Sequence, residues 1–435
     1  MTGIAGVVTF SSTVNPEEIA GEISRRLTHR GNVFIMKLSS AVGEINLMQF
    51  YTEPADLGAI KASDTHLVLS GKVFNLSEIL QSGLKIENLA GYYALALTNG
   101  TELCIHRDRI GLRPLFYGYT DDYLVFASER RALKGLVNPI RLPPGSALIA
   151  RKDGIYLRPI KVLKRPGIVE MTESEAARIL SELIMKSVER LTSDEIAILF
   201  SGGLDSTVIA KVTSQFADVH LFVAAMPESH DYALARKIAD ALKLPLRIRV
   251  IQPEELEYYL EKTIYVIDDW NPLKVLIGTP IYAACEMIHD EKFKVIFTGQ
   301  GADELFGGYA KYLKMSPGEF LLNNFIDILT LSAKNLERDE CIAASNHLDL
   351  RLPYLDDDIV NFSLMLTPKL KINNGVRKYV LRLAAIRLGI PSEIAFIPKK
   401  AIQYSTGITK SARKFAKMKN LSLEEYFKRI YDSLN

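Results

Sequence analysis

The sequence predicts an α/β protein in which a β-rich first part precedes a doubly wound parallel sheet. Between about residues 171 and 252, segments with helical periodicity alternate with short apolar segments, as in strands joined by crossover helices. Before about residue 150, short strand-like runs follow one another with polar or glycine-bearing turns between them. A chain of 435 residues exceeds the usual size of one hydrophobic core. We therefore expect two domains.

Six strand-like runs make the first part β-rich. They are GIAGVVTF, THLVLSGKVF, YYALALT, ELCIHRD, PLFYGY and YLVFAS. The sequence Pro143-Pro144-Gly145 interrupts this pattern, so we expect the first domain to span residues 1–150. The second domain is expected to span residues 165–435, with a largely helical C-terminal part.

The second domain is organised around the stretch EIAILFSGGLDST, residues 195–207. A short β-branched run predicts a buried strand, two glycines predict a turn, and helical spacing of apolar residues follows. This arrangement directs backbone N–H groups and a helix N-terminus at an anion. No Gly-Lys-Ser/Thr follows the glycines as in a Walker loop, so the expected anion is pyrophosphate. The alternative is a structural turn whose Asp205 and Ser206 only cap the helix.

A second stretch, KVIFTGQGADELFGGY at residues 294–309, repeats the same order of strand, glycine turn and acidic residues. The carboxyl ends of parallel strands meet at one edge of a sheet. We therefore expect Asp205 and Asp303 to lie close together and to hold one Mg²⁺. The alternative is that Asp303 only caps a helix.

The composition excludes several other classes of function. Lys plus Arg number 53 and Asp plus Glu 51, so a net charge of +2 gives no electrostatic argument for nucleic acid. No apolar run approaches 18 residues, which argues against a membrane span. The three cysteines are far apart, which argues against zinc and disulfides. With no export signal at the N-terminus, the expected location is the cytoplasm.

Seven motifs, in order along nearly the whole chain, resemble those of asparagine synthetases. They are RDRIGLRPLFYG, FASERRAL, LPPG, SGGLDS, GQGADELFGGY, LRLPYLDDDIV and IPKKAIQYSTG. The resemblance implies an N-terminal-nucleophile (Ntn) hydrolase-like αββα sandwich followed by an ATP pyrophosphatase (PP-loop) synthetase domain. It also implies that ATP is split into AMP and pyrophosphate through an acyl-adenylate, from which nitrogen displaces AMP.

The resemblance assigns residues to the synthetase site. Asp205 and Asp303 bind Mg²⁺, and Lys399 and Lys378 offset charge near the acyl-adenylate. Gln300 occupies the place of a glutamate that is common in the family, and glutamine can orient a substrate but cannot act as a base. Either ammonia needs no base or another carboxylate serves, with Asp349 as one candidate. The residues expected to bind ATP and pyrophosphate are Ser201, Gly202, Gly203, Leu204, Asp205, Ser206, Thr298 and Gly299.

The same resemblance indicates a glutaminase site that has lost its functional groups. A working glutaminase of this kind removes Met1 and uses a cysteine at position 2, where this chain has Thr2. The family's Asn-Gly-Glu turn reads Ser70, Gly71 and Lys72 here. A hydroxyl thus replaces the oxyanion-stabilising amide, and a cation replaces the carboxylate that meets the glutamine ammonium. We predict that glutaminase activity is lost and that the domain remains as a packing partner.

The expected reaction is therefore the ATP-dependent synthesis of asparagine from aspartate and ammonia, with ATP and Mg²⁺ as cofactors. Two alternatives stay open. One is an amide or ring-forming synthetase that acts on another carboxylic acid, as β-lactam synthetases do. The other is a catalytically silent nucleotide-binding paralogue. The sequence does not decide between a monomer and a homodimer.

Overall fold

The computed structural model describes residues 2–54, 57–62, 65–82, 85–227, 229–398 and 406–434. The chain divides into two compact units. The first unit combines Met1–Lys164 with Asn335–His347, and the second combines Arg165–Lys334 with Leu348–Asn435. A short segment from the second half of the sequence therefore belongs to the first unit, which no pattern in the sequence predicts.

The first unit is built mainly from antiparallel strands. Within Met1–Lys164 its helices are α1 (Pro16–Arg26) and α2 (Leu76–Ser82). Its strands are β1 (Thr2–Thr9), β2 (Asn32–Ser39), β3 (Glu44–Tyr51), β4 (Ile60–Ala62), β5 (Thr65–Val73), β6 (Gly91–Thr98), β7 (Leu103–Arg107), β8 (Phe116–Tyr119), β9 (Tyr123–Ala127), β10 (Ile140–Arg141), β11 (Ser146–Arg151) and β12 (Gly154–Pro159).

These strands form two six-stranded sheets, in the orders β10-β8-β9-β1-β3-β2 and β12-β11-β7-β6-β5-β4. Apolar residues of both sheets meet in one core, with Ile4 and Leu47 from the first sheet and Val68 and Ile105 from the second. Helix α1 covers the outer face of the first sheet, and α2 that of the second. This is the predicted αββα sandwich. The six predicted runs correspond to β1 and β5–β9, and the prediction named none of β2, β3, β4, β10, β11 and β12.

The chain from Arg165 onward contains the remaining strands and most of the helices. The strands are β13 (Glu195–Leu199), β14 (Asp218–Ala225), β15 (Leu246–Val250), β16 (Val295–Phe297), β17 (Asp349–Arg351), β18 (Ile372–Asn373) and β19 (Val376–Arg377). The helices are α3 (Glu173–Leu191), α4 (Leu204–Thr213), α5 (His230–Leu242), α6 (Leu256–Ile267), α7 (Pro272–Asp290), α8 (Ala302–Phe306), α9 (Pro317–Leu331), α10 (Glu337–Ser345), α11 (Asp357–Met365), α12 (Pro368–Lys371), α13 (Tyr379–Arg387), α14 (Ser392–Ala395), α15 (Ile408–Met418) and α16 (Leu423–Leu434). Of these, α10 lies in the first unit. Within the described ranges, no helix combines the length and the apolarity that a membrane span requires.

The main sheet of the second unit has five parallel strands in the order β15-β14-β13-β16-β17. From the central strand β13 the chain continues first toward one edge of the sheet and later returns to build the other. The strand order therefore reverses between β13 and β16, which is where doubly wound sheets bind their ligands. The predicted parallel sheet is confirmed, and both glycine loops follow strands at this point.

Candidate functional site

The first glycine loop joins β13 to α4, as the sequence predicts. Gly202 has φ +66°, and a Cβ atom there would lie 2.9 Å from the backbone nitrogen of Ala235 in α5. This position therefore requires glycine for both its conformation and its space. The residue that precedes α4 is Gly203, which has no side chain to cap the first N–H groups of the helix. Those N–H groups form a site suited to an anion.

Hydroxyl groups hold this loop in shape. The N–H of Ser201 donates to Oγ of Ser206 at 3.3 Å, and that hydroxyl donates to the carbonyl of Gly203 at 3.2 Å. Thr207 Oγ1 donates to the same carbonyl at 2.8 Å. Leu204 is the first residue of α4. The loop is thus fixed by its own hydrogen bonds, which reduces the entropy that an anion would have to remove on binding.

The second glycine loop, between β16 and α8, touches the first. A Cβ atom on Gly299 would lie 2.6 Å from Cβ of Asp205 and 3.0 Å from the backbone nitrogen of Ser206. Only glycine allows the two loops to approach this closely. In the same loop, the N–H of Gln300 donates to Oγ1 of Thr298 at 3.1 Å. The two motifs, about a hundred residues apart in the sequence, therefore meet at one edge of the sheet.

Lys378 joins the carboxylates of the two loops. Its Nζ lies 2.6 Å from Oδ2 of Asp205 and 2.7 Å from Oδ1 of Asp303. Burial disfavours the charged lysine, but the two carboxylates outweigh this effect and raise the pKa of Lys378 above its ordinary value. Lys378 itself has φ +55°, an uncommon backbone conformation for a non-glycine residue. The expected proximity of Asp205 and Asp303 is thus observed.

The residues at this point fit a magnesium ion. Mg²⁺ in nucleotide-dependent enzymes is held by one or two carboxylates together with phosphate oxygens and water. Asp205 and Asp303 supply two carboxylates that one ammonium group can contact at the same time. Among the described residues, no cluster of three or more His, Cys, Asp or Glu side chains could hold a metal alone. The donor set therefore suits a metal that arrives with phosphate groups.

Sequence reasoning assigned no role to three side chains near these loops. The hydroxyl of Tyr354 donates to the backbone carbonyl of Asp205 at 3.1 Å. The hydroxyl of Tyr309 donates to Glu304, and burial raises the pKa of this glutamate to about 7. All three lie inside motifs that the sequence analysis quoted. Their position next to acidic or glycine residues is the only sequence signal for their role.

Of two further residues named from the sequence, the structure describes only Asp349. Lys399 lies outside the described residues. Asp349 begins β17 opposite Val295 of β16, so it lies at the amino edge of the sheet rather than at the edge that carries the loops. Its carboxylate accepts a hydrogen bond from Nε of Arg351 at 2.7 Å. The structure therefore gives no support to Asp349 as a substitute for the base that Gln300 cannot provide.

The predicted glutaminase positions converge at the start of β1 and the end of β5. The N–H of Gly71 donates to Oγ1 of Thr2 at 2.8 Å, and Oγ of Ser70 donates to the Thr2 carbonyl at 3.0 Å. Both Thr2 and Ser70 are buried, whereas Lys72 is exposed. Water therefore screens the charge of Lys72, and its repulsion of a glutamine ammonium is weaker than in a desolvated pocket.

A buried ionic network fixes α10 within the first unit. Both terminal nitrogens of Arg30 donate to Glu340, at 3.1 and 2.9 Å, and its Nε donates to Glu129 at 2.6 Å. Arg141 donates to both carboxylate oxygens of Glu337, at 2.6 and 2.8 Å. Arg30 is fully buried, and Glu129 and Glu340 are nearly so. Bidentate contacts of this kind fix orientation as well as distance, so α10 is held through two glutamates of its first turn.

Comparison with protein families gives two matches. The model of the family described as "Asparagine synthase" matches residues 180–323 and 319–429. The model described as "Glutamine amidotransferase domain" matches residues 59–135. The first match includes both glycine loops and Lys378, and the second lies within the αββα sandwich.

Two curated relatives show the extent of the similarity. A Methanocaldococcus jannaschii protein named as an asparagine synthetase [glutamine-hydrolyzing] is 34% identical over 391 residues, covering 77% of this chain and 72% of that protein. Asparagine synthetase B of Escherichia coli is 26% identical over 351 residues, covering 74% of this chain and 62% of that protein. The match to the second relative thus leaves more than a third of its length uncovered.

Solved structures give weaker matches. An NMN synthetase from Francisella tularensis is 14% identical with a TM-score of 0.31, over 61% of this chain and 87% of that chain. A glutamine phosphoribosylpyrophosphate amidotransferase from B. subtilis is 14% identical with a TM-score of 0.30, over 57% of this chain and 65% of that chain. Structural similarity this low carries no argument about function.

Proposed function

Because this chain belongs to the asparagine synthase family, we propose that it joins nitrogen to a carboxylic acid as an amide while ATP is split into AMP and pyrophosphate. One observation carries the proposal. Two glycine loops meet at the point where the strand order reverses, and Asp205, Asp303 and Lys378 converge there. An anion site flanked by two carboxylates and a lysine suits the transfer of the adenylyl group of ATP with pyrophosphate as the leaving group.

The residues of the first loop would bind the pyrophosphate part of ATP. The N–H groups at the start of α4 and the hydroxyl of Ser201 are the donors for its oxygens, and the hydroxyl of Ser206 would join them by turning away from the carbonyl of Gly203. Asp205 and Asp303 would bind Mg²⁺, which neutralises phosphate charge when bound. With the carboxylates on the metal, we expect Lys378 to donate to a phosphate oxygen. Lys399 is proposed to act on the acyl-adenylate.

Aspartate and ammonia are the proposed substrates, and the product is asparagine. The carboxylate oxygen of the acid attacks the α-phosphorus of ATP, pyrophosphate leaves, and ammonia then displaces AMP from the acyl carbon. Gln300 would orient the acid or the ammonia through hydrogen bonds, since its amide cannot accept a proton as a glutamate would. Unprotonated ammonia already carries the lone pair that attacks the acyl carbon.

The first prediction concerns the products of this reaction. Incubation of the chain with ATP, Mg²⁺, aspartate and ammonium should yield AMP, pyrophosphate and asparagine in equal amounts, because the loop binds pyrophosphate as the leaving group. Chromatography of nucleotides and amino acids measures all three. Formation of ADP and phosphate instead would contradict the proposed cleavage of ATP between its α and β phosphates.

A screen of carboxylic acids separates this proposal from its two rivals. The exchange of labelled pyrophosphate into ATP reports the adenylation of any acid. Exchange in the presence of another acid but not of aspartate would favour a synthetase that acts on that other acid. A silent nucleotide-binding paralogue would bind ATP without exchange in the presence of every acid tested. Gln300, at a position where the family resemblance implies a glutamate, is the reason to include acids other than aspartate.

The second prediction concerns the source of nitrogen. Ammonium should support synthesis and glutamine at equal concentration should not, because Thr2, Ser70 and Lys72 replace the groups that a glutaminase uses. The Thr2→Ala variant should synthesise at the wild-type rate with ammonium, since the hydrogen bonds of the threonine hydroxyl to described residues go to Gly71 and Ser70, which lie outside the synthetase site. Glutamate released from glutamine by the wild type, and lost in Thr2→Ala, would show that the first unit remains a hydrolase.

A further inference from the structure

Lys371, the last residue of α12, is a fully buried lysine that the proposed function does not use. Its side chain is 1% exposed. Among the described residues no carboxylate forms an ion pair with it, and its Nζ instead donates to Oδ1 of Asn324 at 2.7 Å and to Oγ of Ser363 at 3.3 Å. Burial lowers the pKa of Lys371 to about 7. A buried amine without an acidic partner is costly, so its presence calls for a specific role.

The two partners of Lys371 lead to the same short helix. The side-chain amide of Asn324 donates to the backbone carbonyl of Glu304, and Oγ of Ser363 donates to the carbonyl of Leu305 at 2.7 Å. Both carbonyls belong to α8, which also carries Asp303. The lysine thus acts on α8 through one intermediate side chain on each of two helices, α9 and α11.

Helix α8 needs such external contacts because it has only five residues. The last four carbonyls of any helix have no partner within the helix, and a helix this short does not form by itself. The carbonyl of Asp303 accepts from the N–H of Gly308 at 2.8 Å. The next two carbonyls, of Glu304 and Leu305, are the ones that Asn324 and Ser363 satisfy.

Lys371 fixes the direction of both hydrogen-bond chains. The carbonyl of Glu304 can only accept, so the NH₂ group of Asn324 faces α8 and its Oδ1 faces Nζ of Lys371, which has N–H donors in either protonation state. Ser363 likewise accepts from the lysine and donates its own proton to Leu305. Without the lysine, the amide of Asn324 can rotate and the hydroxyl of Ser363 can turn away.

We propose that Lys371 is a positioning residue for the metal site, which holds Asp303 in place by orienting Asn324 and Ser363 against the carbonyls of α8. The inference rests on the proposed function for the role of Asp303, but not for the mechanical link between Lys371 and α8. The residue next to Lys371 supports this link. A Cβ atom on Gly307, which ends α8, would lie 3.3 Å from Cγ1 of Ile372 and 3.2 Å from the ring of Phe320.

The third prediction tests this link with Lys371→Met. Methionine has nearly the length of lysine and replaces its apolar stem, but it has no N–H donors. Hydrogen exchange of the amides of residues 302–308, measured without ATP or Mg²⁺, should become faster. The Mg²⁺ concentration that half-saturates pyrophosphate release should rise about tenfold, as is typical when a residue that orients a metal ligand is lost. The matched control is Lys369→Met, because Lys369 is an exposed lysine of the same helix.

Both measurements are needed to separate the possible failures. A wild-type chain that forms no AMP would contradict the proposed function, whereas the exchange of α8 amides still tests the link. A folded Lys371→Met protein with wild-type exchange in α8 and an unchanged Mg²⁺ requirement would overturn the inference. If Lys371→Met does not fold, Ser363→Ala decides by the same two measurements, since it removes only the hydroxyl that reaches Leu305.

Discussion

The Asp205→Asn variant is expected to lose pyrophosphate release by on the order of 10²–10³-fold, the usual effect of removing one group that stabilises charge in a transition state. The amide keeps the size of the side chain but provides one weak neutral ligand in place of a carboxylate. This is the fourth prediction. It is measured as the rate of pyrophosphate release at saturating ATP, aspartate and ammonium.

The structure explains why this variant should remain folded. Lys378 keeps its ion pair with Asp303 at 2.7 Å, so no unpaired buried charge is left. Tyr354 donates to the backbone carbonyl of Asp205, a contact that does not depend on the side chain. Circular dichroism and thermal unfolding should therefore match the wild type.

Asp240→Asn is the matched control, because Asp240 is an exposed aspartate on α5. It should leave both the rate and the stability unchanged. Near-normal pyrophosphate release in Asp205→Asn, with ordinary folding, would mean that the first glycine loop does not bind a metal-bridged phosphate.

The fifth prediction is that Glu340→Gln destabilises the first unit by about 3 kcal/mol. Breaking a buried ion pair typically costs about 3–5 kcal/mol, because the remaining charge stays buried without its partner. Glu340 accepts two hydrogen bonds from the fully buried Arg30, and Nη1 of Arg113 lies 3.5 Å from it. The cost should fall at the lower end of the range because Glu129 still accepts from Arg30.

Native-state hydrogen exchange of the amides in β1 and β3 measures this loss, since protected core strands report the free energy of opening of their unit. The control is Glu17→Gln, which breaks the exposed pair between Glu17 and Lys37. Exposed pairs contribute at most about 1 kcal/mol. Equal effects of the two variants would show that the network around α10 does not stabilise the first unit.

Much of the synthetase site could be predicted from the sequence. The two glycine loops, their places after strands, and the meeting of Asp205 with Asp303 follow from local patterns and from the rule that parallel strands end at one edge. The contact of Lys378 with both carboxylates could not be predicted in this way, because most lysine side chains lie in solvent and the sequence does not show which one is buried. Tyr354 was missed for a similar reason, since nothing near it in the sequence shows that its hydroxyl reaches a loop about 150 residues away.

The sequence by itself determined the local elements and the chemistry of the loops, because helical periodicity, strand composition and glycine turns depend on near neighbours. Only the tertiary structure decided which distant charges are buried together. The fold assigned α10 to the first unit through the pair of Arg30 and Glu340. It also linked Lys371 to the carbonyls of α8 through one intermediate side chain on each of two helices. Burial of a charge is decided by whether the fold supplies hydrogen-bonding partners, and those partners come from segments that are far apart along the chain.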